Sequence, residues 1–438
     1  MECERMSEVV AIGETSVPST PSTRKRWFVL GTLIAVNLAM WLDELKFSAL
    51  SAFWSESLSL NSAQTATILS SYYIGYAPML FLAGVLADRF GPRLLLLVAC
   101  VGVTVLSVSM AWVTTFSEMY IRNMIFGAFF GLVWAPSNRM IANWFPLHER
   151  TKATSYWIAS ANAAGIATPL IALPIANHTT WQTAFIVIAI ICVPAFVALI
   201  KVTDRPVDTK AGAESVASSV EREESLPLGE LLYVLRNRNV WLVCMAGFCA
   251  ASFSLPLAWV SYGLIKLDKI DPDVVATVSS LTFAVPFLFA FVNSPILSRV
   301  FRGRINLYMS TGLVFAGLCF SISAVLSVHW IVWAALTTSS MVVANTIFYG
   351  SLTAYSTQIV GARATGTVVG LATCLQILCS LVLIHHSGEW FDESVSGHHQ
   401  LNLVFLVGAG LLFIGACLVM VAKRVTIDPD VKVVARTY

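Results

Sequence analysis

The stretch Gly84-Val85-Leu86-Ala87-Asp88-Arg89-Phe90-Gly91-Pro92-Arg93 is a short polar break between two long apolar runs, near residues 63–86 and 94–114. Its residue types suit a tight turn between two membrane helices. Gly84 lets the helices approach closely, and Gly91 with Pro92 forces the chain to reverse. Asp88 places an acid where helix ends and basic side chains hold it.

Each flanking run has the roughly 20 residues that a helix needs to cross about 30 Å of hydrocarbon. Moving outward in both directions, ten more such runs appear, so that twelve lie near 27–50, 63–86, 94–114, 119–142, 153–176, 181–202, 239–265, 274–297, 305–327, 330–352, 364–386 and 401–422. Barrel strands need only about 10 alternating residues, so the expected fold class is an all-α membrane protein with 12 transmembrane helices. Composition agrees. Of 438 residues, 57% are hydrophobic and 12% charged, against roughly 25% charged in soluble domains, and the mean hydropathy is +0.75. A soluble enzyme is excluded.

A net charge of +2 is too small for a polyanion-binding surface, so no nucleic-acid partner is expected. The nine cysteines show neither Cys-x-x-Cys pairs nor Cys/His metal spacing. They read as small buried hydrophobes, and neither a cofactor nor a metal is expected. Residues 1–23 are polar, and Arg24, Lys25 and Arg26 precede a run too long for a signal peptide, so that run stays as a span.

Lys and Arg are retained in cytoplasmic loops. With the N-terminus inside, 23 of the 27 basic residues fall on the cytoplasmic side, leaving Lys46, Arg122, Lys266 and Lys269. Both termini are therefore expected in the cytoplasm, in a plasma or bacterial inner membrane. Segment 203–238 is polar and acidic, and reads as a cytoplasmic linker between six-helix bundles at 27–202 and 239–422, with cytoplasmic tails at 1–26 and 423–438. Ser294 to Arg304 then reads as a degraded second copy of the turn, with Ser298-Arg299 standing 210 residues after Asp88-Arg89. Glu149-Arg150 and Ala362-Arg363 are related by 213 residues. Two offsets that agree this closely indicate duplication of the kind found in transporters.

The run 84–93 resembles the signature loop of the major facilitator superfamily, G-x-x-x-D-R-x-G-x-R/K, and matches every fixed position. Arg122, Gly127, Pro136, Asn138 and Trp144-Phe145-Pro146-Leu147-His148-Glu149-Arg150 resemble the anion:cation symporter branch of that superfamily. The resemblance implies two pseudo-symmetric six-helix bundles around a central cavity lined by the first, fourth, seventh and tenth helices. It also implies proton-coupled symport of a small organic anion, such as a sugar acid or another carboxylate. The chain departs from the branch pattern in two places: Asp43 is followed by Glu44 with the base displaced to Lys46, and Ala128, Phe129 and Phe130 stand where the fourth span often carries an acid.

Ionisable side chains at membrane depth cost roughly 2.5–3.5 kcal/mol each, which makes them functional candidates. Asp43 and Glu44 are the candidates for proton coupling. Asp43 and Lys46 share one helix face, while Glu44 continues the face of Asn37 and Met40, so which acid faces the cavity stays open. Arg122, at a similar depth, offers a fixed fork of donors to a carboxylate, and Lys46 is a second candidate for the anion. Asn37, Tyr73, Asn162, Tyr262, Asn345 and Gln376 are polar candidates for solute contact, each with an interhelical packing role as the blander reading. Gly84, Asp88, Arg89, Gly91, Arg93, Glu149 and Arg150 form a candidate gate that breaks and reforms between conformations. His385, His386, His398 and His399, with Glu389, Asp392 and Glu393, read as loop composition rather than a metal or pH sensor. Asn177-His178-Thr179 fits a glycosylation sequon in a loop too short to use it.

The expected partners are a small-molecule solute, protons and the lipid bilayer, and the protein is expected to be a monomer. A proton-coupled exporter or a facilitated-diffusion carrier is the alternative. Import is favoured over export because Gly165 and Pro169 stand without the Gly-Pro pair of drug exporters. A membrane enzyme lacks paired catalytic motifs, and a nucleotide-driven pump lacks the G-x-x-x-x-G-K-S/T loop.

Overall fold

In a computed structural model, the protein is described over residues 23–204, 234–326, 328–361, 364–391 and 394–425. It is built of helices throughout these segments. In chain order, α1 is Thr23–Ala49, α2 Ser62–Phe90, α3 Pro92–Met110, and α4 the two pieces Phe116–Gly131 and Trp134–Trp144. Then follow α5 Leu147–His178, α6 Trp181–Ile200, and α7, which runs from Arg238–Ala250 through a 3-10 turn into Ser254–Tyr262 and a π turn at Gly263–Leu267. The remaining long helices are α8 Pro272–Pro295, α9 Ile305–Val325, α10 Trp330–Val360, α11 Thr365–Ser387 and α12 Asn402–Val421, with short helical segments at Ser51–Ser57, Ile296–Val300 and Gly397–Leu401. Every one of the twelve expected runs falls on one of these helices. Among the described residues, ten helices are long and apolar enough by themselves to cross a membrane. The run 119–142 is helical in pieces of 16 and 11 residues. Most of the segment expected as a linker, residues 205–233, and the tails 1–22 and 426–438 lie outside the described residues.

Local chemistry sets the helix ends. Asn61 and Gln64 cap α2 reciprocally, with the Gln64 N–H donating to Asn61 Oδ1 at 2.8 Å and the Asn61 N–H donating to Gln64 Oε1 at 3.1 Å. Gly91 ends α2 at φ +85°, a backbone conformation that glycine tolerates, and Pro92 starts α3. That turn is held from behind by residue 204. The Arg93 N–H donates to Asp204 Oδ1 at 2.8 Å, the Arg93 guanidinium donates to the Ile200 carbonyl, and Trp144 Nε1 donates to the Thr203 carbonyl at 3.0 Å.

Helices α2 and α4 pack backbone to backbone because Gly75, Gly127 and Gly131 line their seam. A Cβ on Gly127 would overlap the Tyr72 carbonyl oxygen, and one on Gly75 would overlap that of Met124. Gly127→Val is therefore expected to destabilise the protein by about 3 kcal/mol or more. Gly410→Ala, with no atom within 4 Å of the added carbon, is the control, and thermal unfolding in detergent followed by tryptophan fluorescence compares the two. Outward-facing Val101, Val105, Ile190, Leu281, Leu288 and Val421 are exposed, the arrangement required of surfaces that meet lipid rather than water.

The two halves meet through α2 with α11, α5 with α8, and α1 with α7. A shift of 210–213 residues carries α2 onto α8 and α5 onto α11. The first two contacts therefore exchange under the internal repeat.

Candidate functional site

A narrow cleft lies where the two halves meet. Its wall takes Glu44, Phe47 and Ser48 from α1, Leu69, Tyr72 and Tyr73 from α2, and Asn123 and Phe126 from α4. From the second half come Ser254, Leu257 and Ala258 on α7 and Ile384 on α11. A second, more apolar cleft shares Ser48 and Leu257 and continues between α5, α8 and α10 past Gly165, Pro169, Phe283 and Thr338. Helices 1, 4, 7 and 10 thus all reach the space, as the resemblance implies, with α2, α5, α8 and α11 closing its sides.

The structure decides which acid faces this cleft. Glu44 does. Its Oε2 is buried without a hydrogen-bond partner, and the carboxylate is close enough to act electrostatically on the phenols of Tyr72, Tyr73 and Tyr76. Those rings form one cluster, Tyr72 edge-on to Tyr73 with centroids 5.1 Å apart and stacked on Tyr76 at 5.2 Å. Asp43 turns the other way. It pairs with Lys46, and Ser107 of α3 donates to Asp43 Oδ1 at 2.9 Å and also receives the Lys46 ammonium. Lys46 lies 4.7 Å from the centroid of Phe185 on α6, so the pair is enclosed between α1, α3 and α6 with side chains 1% and 2% exposed.

The other expected solute contacts scatter. Arg122 donates to the Ser109 carbonyl at the end of α3 and is not brought to the cleft. Asn37 donates to the Trp157 carbonyl at 3.0 Å and to Ser160 Oγ at 2.8 Å, tying α1 to α5. Tyr262 is buried among Trp259 and Phe391. Asn162 and Gln376 are half-buried on α5 and α11 outside the two clefts, and the side chain of Asn345 lies outside the description. Among the described candidates, only Tyr73 and Glu44 line the main cleft. Tyr72, Asn123, Phe126 and Ser254 line it as well. Of these only Tyr72 carries a signal in the sequence, the doublet Tyr72-Tyr73 followed by Tyr76.

The halves are fastened at one end of the bundle. Ser62 Oγ donates to the Gly388 carbonyl at 2.8 Å, His178 Nε2 meets Asp273 Oδ2 at 3.0 Å, Lys266 donates to Ser55 Oγ at 3.2 Å, and Ser70 Oγ is 3.4 Å from His385 Nδ1. Toward the opposite end, where the 84–93 turn lies, α2 loses its cover. Its buried residues crowd between Thr65 and Tyr72, and beyond Ile74 only Ala83 and Ala87 are buried, while Phe81 is 76% exposed. No atom lies within 4 Å of a Cβ built on Gly84, Gly361 or Gly370. The cleft is closed on the side of Glu44 and open on the side of Asp88.

At the open end, the charge pairs seen among the described residues join helices of the same half. Asp88 meets Arg139 of α4 at 3.2 Å, and Glu149 of α5 meets Arg26 of α1 at 3.0 Å. Arg150 donates to the Phe145 and Ala142 carbonyls at 3.0 and 2.9 Å, and Arg89 lies over Phe90. At the closed end, His398 Nδ1 meets Asp268 Oδ2 at 2.7 Å and its N–H donates to Asp268 Oδ1 at 2.8 Å, while His386 Nδ1 lies 3.4 Å from Glu389. Asp392 and Glu393 of that loop, and Arg363 of the second repeat, lie outside the described residues.

Comparison with known proteins places these features in context. The family described as Major Facilitator Superfamily matches residues 32–383. A hexuronate transporter of Bacillus subtilis (strain 168) is 27% identical over 264 residues, 59% of this chain and 60% of the relative. A glycerol-3-phosphate transporter of the same organism is 32% identical over 201 residues, covering 42% of this chain and 45% of the relative. The matched stretch thus spans less than two thirds of the length of either. The crystal structure of a D-xylose-proton symporter superposes with a TM-score of 0.72 at 15% identity, covering 91% of this chain and 98% of that one, a likeness of fold.

Proposed function

The chain belongs to the major facilitator superfamily, and from that premise we propose that it carries a small organic anion across the membrane together with protons, by alternating access. The observation that carries this reading is the Glu44 carboxylate, its Oε2 unpaired, on the wall of a cleft between two halves that, among the described residues, are fastened at the end of Ser62 and Gly388. An acid at membrane depth without a counter-ion is costly, and binding a proton removes that cost. In this reading the bundles 27–202 and 239–422 rock about the cleft, and both termini and the 84–93 turn are cytoplasmic, so the cleft opens inward. Gly84, Asp88, Arg89, Gly91, Arg93, Glu149 and Arg150 belong to the inner gate, which closes when the outer fastening at Ser62 and Gly388 parts. The anionic class is taken from the relatives, whose names specify hexuronate and glycerol-3-phosphate.

Proteoliposomes holding the purified protein test this, with hexuronates, monocarboxylates, phosphate esters, amino acids and uncharged sugars added outside. The expected result is alkalinisation of the outside on addition of an organic anion. Movement of uncharged compounds alone, without proton flux, would overturn both the coupling and the anion class while leaving the fold in place.

A further inference from the structure

An anion entering this cleft meets few hydrogen-bond donors. Among the described residues, neither cleft is lined by Lys, Arg or His. The two basic side chains nearest in sequence are spent, Lys46 on Asp43 and Ser107 and Arg122 on the Ser109 carbonyl. The neutral polar groups of the wall have mostly given up their hydrogens too. Asn123 uses both amide hydrogens, on the Ile68 carbonyl at 2.8 Å and on Ser71 Oγ at 3.1 Å. Ser48 donates to the Leu45 carbonyl at 3.2 Å and Ser254 to the Ala251 carbonyl at 2.8 Å. What these groups offer the cleft is lone pairs. The remaining donors are the phenols of Tyr72 and Tyr73 and, when Glu44 is protonated, its own O–H.

Resting on the anion reading of the same cleft, we infer that the solute is a monoanionic carboxylate held by the proton on Glu44, one proton being shared between the two carboxyl groups in place of a basic side chain. Two carboxylates at contact distance cannot both stay ionised, so the solute binds only to the protonated carrier. A charge-assisted O–H···O⁻ bond of this kind is short and strong. The proton arrives from solution, stays on the pair while both are enclosed, and leaves Glu44 once the solute has gone. A dianion brings a second negative charge for which the wall holds no base, so phosphate esters are disfavoured.

The groups facing Glu44 leave it as the titrating member. From α1, Asp43 and Lys46 neutralise each other toward α3 and α6. From α2 come Tyr72, Tyr73 and Tyr76. The parts of α4 and α7 that line the wall contribute no ionisable side chain. From α11, His385 is beside Ile384 and held at Ser70, while Cys374 is close enough to act on Tyr76.

The test is equilibrium binding to the purified full chain between about pH 5.5 and 8.5, with glucuronate and benzoate as monoanions, fumarate and tartrate as dianions ionised at both groups throughout that range, and butylamine as a cation. Monoanion affinity is expected to fall about tenfold per pH unit above the titration of Glu44, with dianions at least about tenfold weaker at every pH. Glu44→Gln, whose amide donates but does not titrate, keeps monoanion binding within about threefold of the low-pH value and removes the pH dependence. Glu44→Ala loses about tenfold or more at low pH. Monoanion binding that ignores pH, or survives in Glu44→Ala, overturns the inference and leaves the anion reading standing, as do dianions that bind equally well. No monoanion binding at the lowest pH also overturns it. If butylamine binds and its affinity rises with pH, Glu44 receives a cation and the anion reading falls with the inference.

Discussion

Replacing Glu44 with glutamine is expected to abolish solute-driven proton movement and to lower accumulation of the solute by about 100-fold or more, with folded protein still obtained. The carboxylate occupies the junction of α1, α2, α4 and α7, and its Oε2 has no partner to lose. Glutamine keeps the shape and resembles the protonated acid, so the halves still close around the solute. The step that fails is release of the proton, because an amide has none to release at physiological pH. Uptake down a gradient of solute therefore outlasts uptake against one. The check is radiolabelled uptake into proteoliposomes with and without an imposed pH gradient, on protein whose monodispersity has been established by gel filtration.

The second large effect concerns stability. Lys46→Met is expected to cost about 3–5 kcal/mol, since it leaves Asp43 charged and enclosed with only Ser107 to answer it. The double variant Asp43→Asn with Lys46→Met removes both charges together and is expected to recover most of the loss, because a buried ion pair contributes little net stability over uncharged residues of similar size. Melting temperatures in detergent, compared across wild type, single and double variants, measure this. A double variant as unstable as Lys46→Met would mean that the pair itself is favourable.

Those two variants mark how far the sequence could be read. The apolar runs and the 84–93 turn were legible because hydrocarbon demands length and apolarity, and both are local properties. Helix interiors were less so. The break at Leu132-Val133 in α4 leaves no interruption in hydropathy. Helix α10 continues to Val360, past its expected end near 352, because Tyr355 is buried and donates to the Lys423 carbonyl at 3.1 Å, a tertiary contact that pays no attention to sequence distance. The site was half legible. That Asp43, Glu44 and Lys46 could not share one face followed from helix geometry alone. Which of them turned inward depended on Ser107 and Phe185, supplied by α3 and α6, and Arg122 was likewise decided by a backbone carbonyl on α3.

The most direct test compares proton flux in two proteins that each lack one of the first span's acids. Addition of a transported monoanion to proteoliposomes of the Asp43→Asn, Lys46→Met double variant is expected to alkalinise the outside as wild type does, while Glu44→Gln gives no pH change. Alkalinisation retained by Glu44→Gln and lost in the double variant would move proton coupling to Asp43 and contradict the assignment of the cleft.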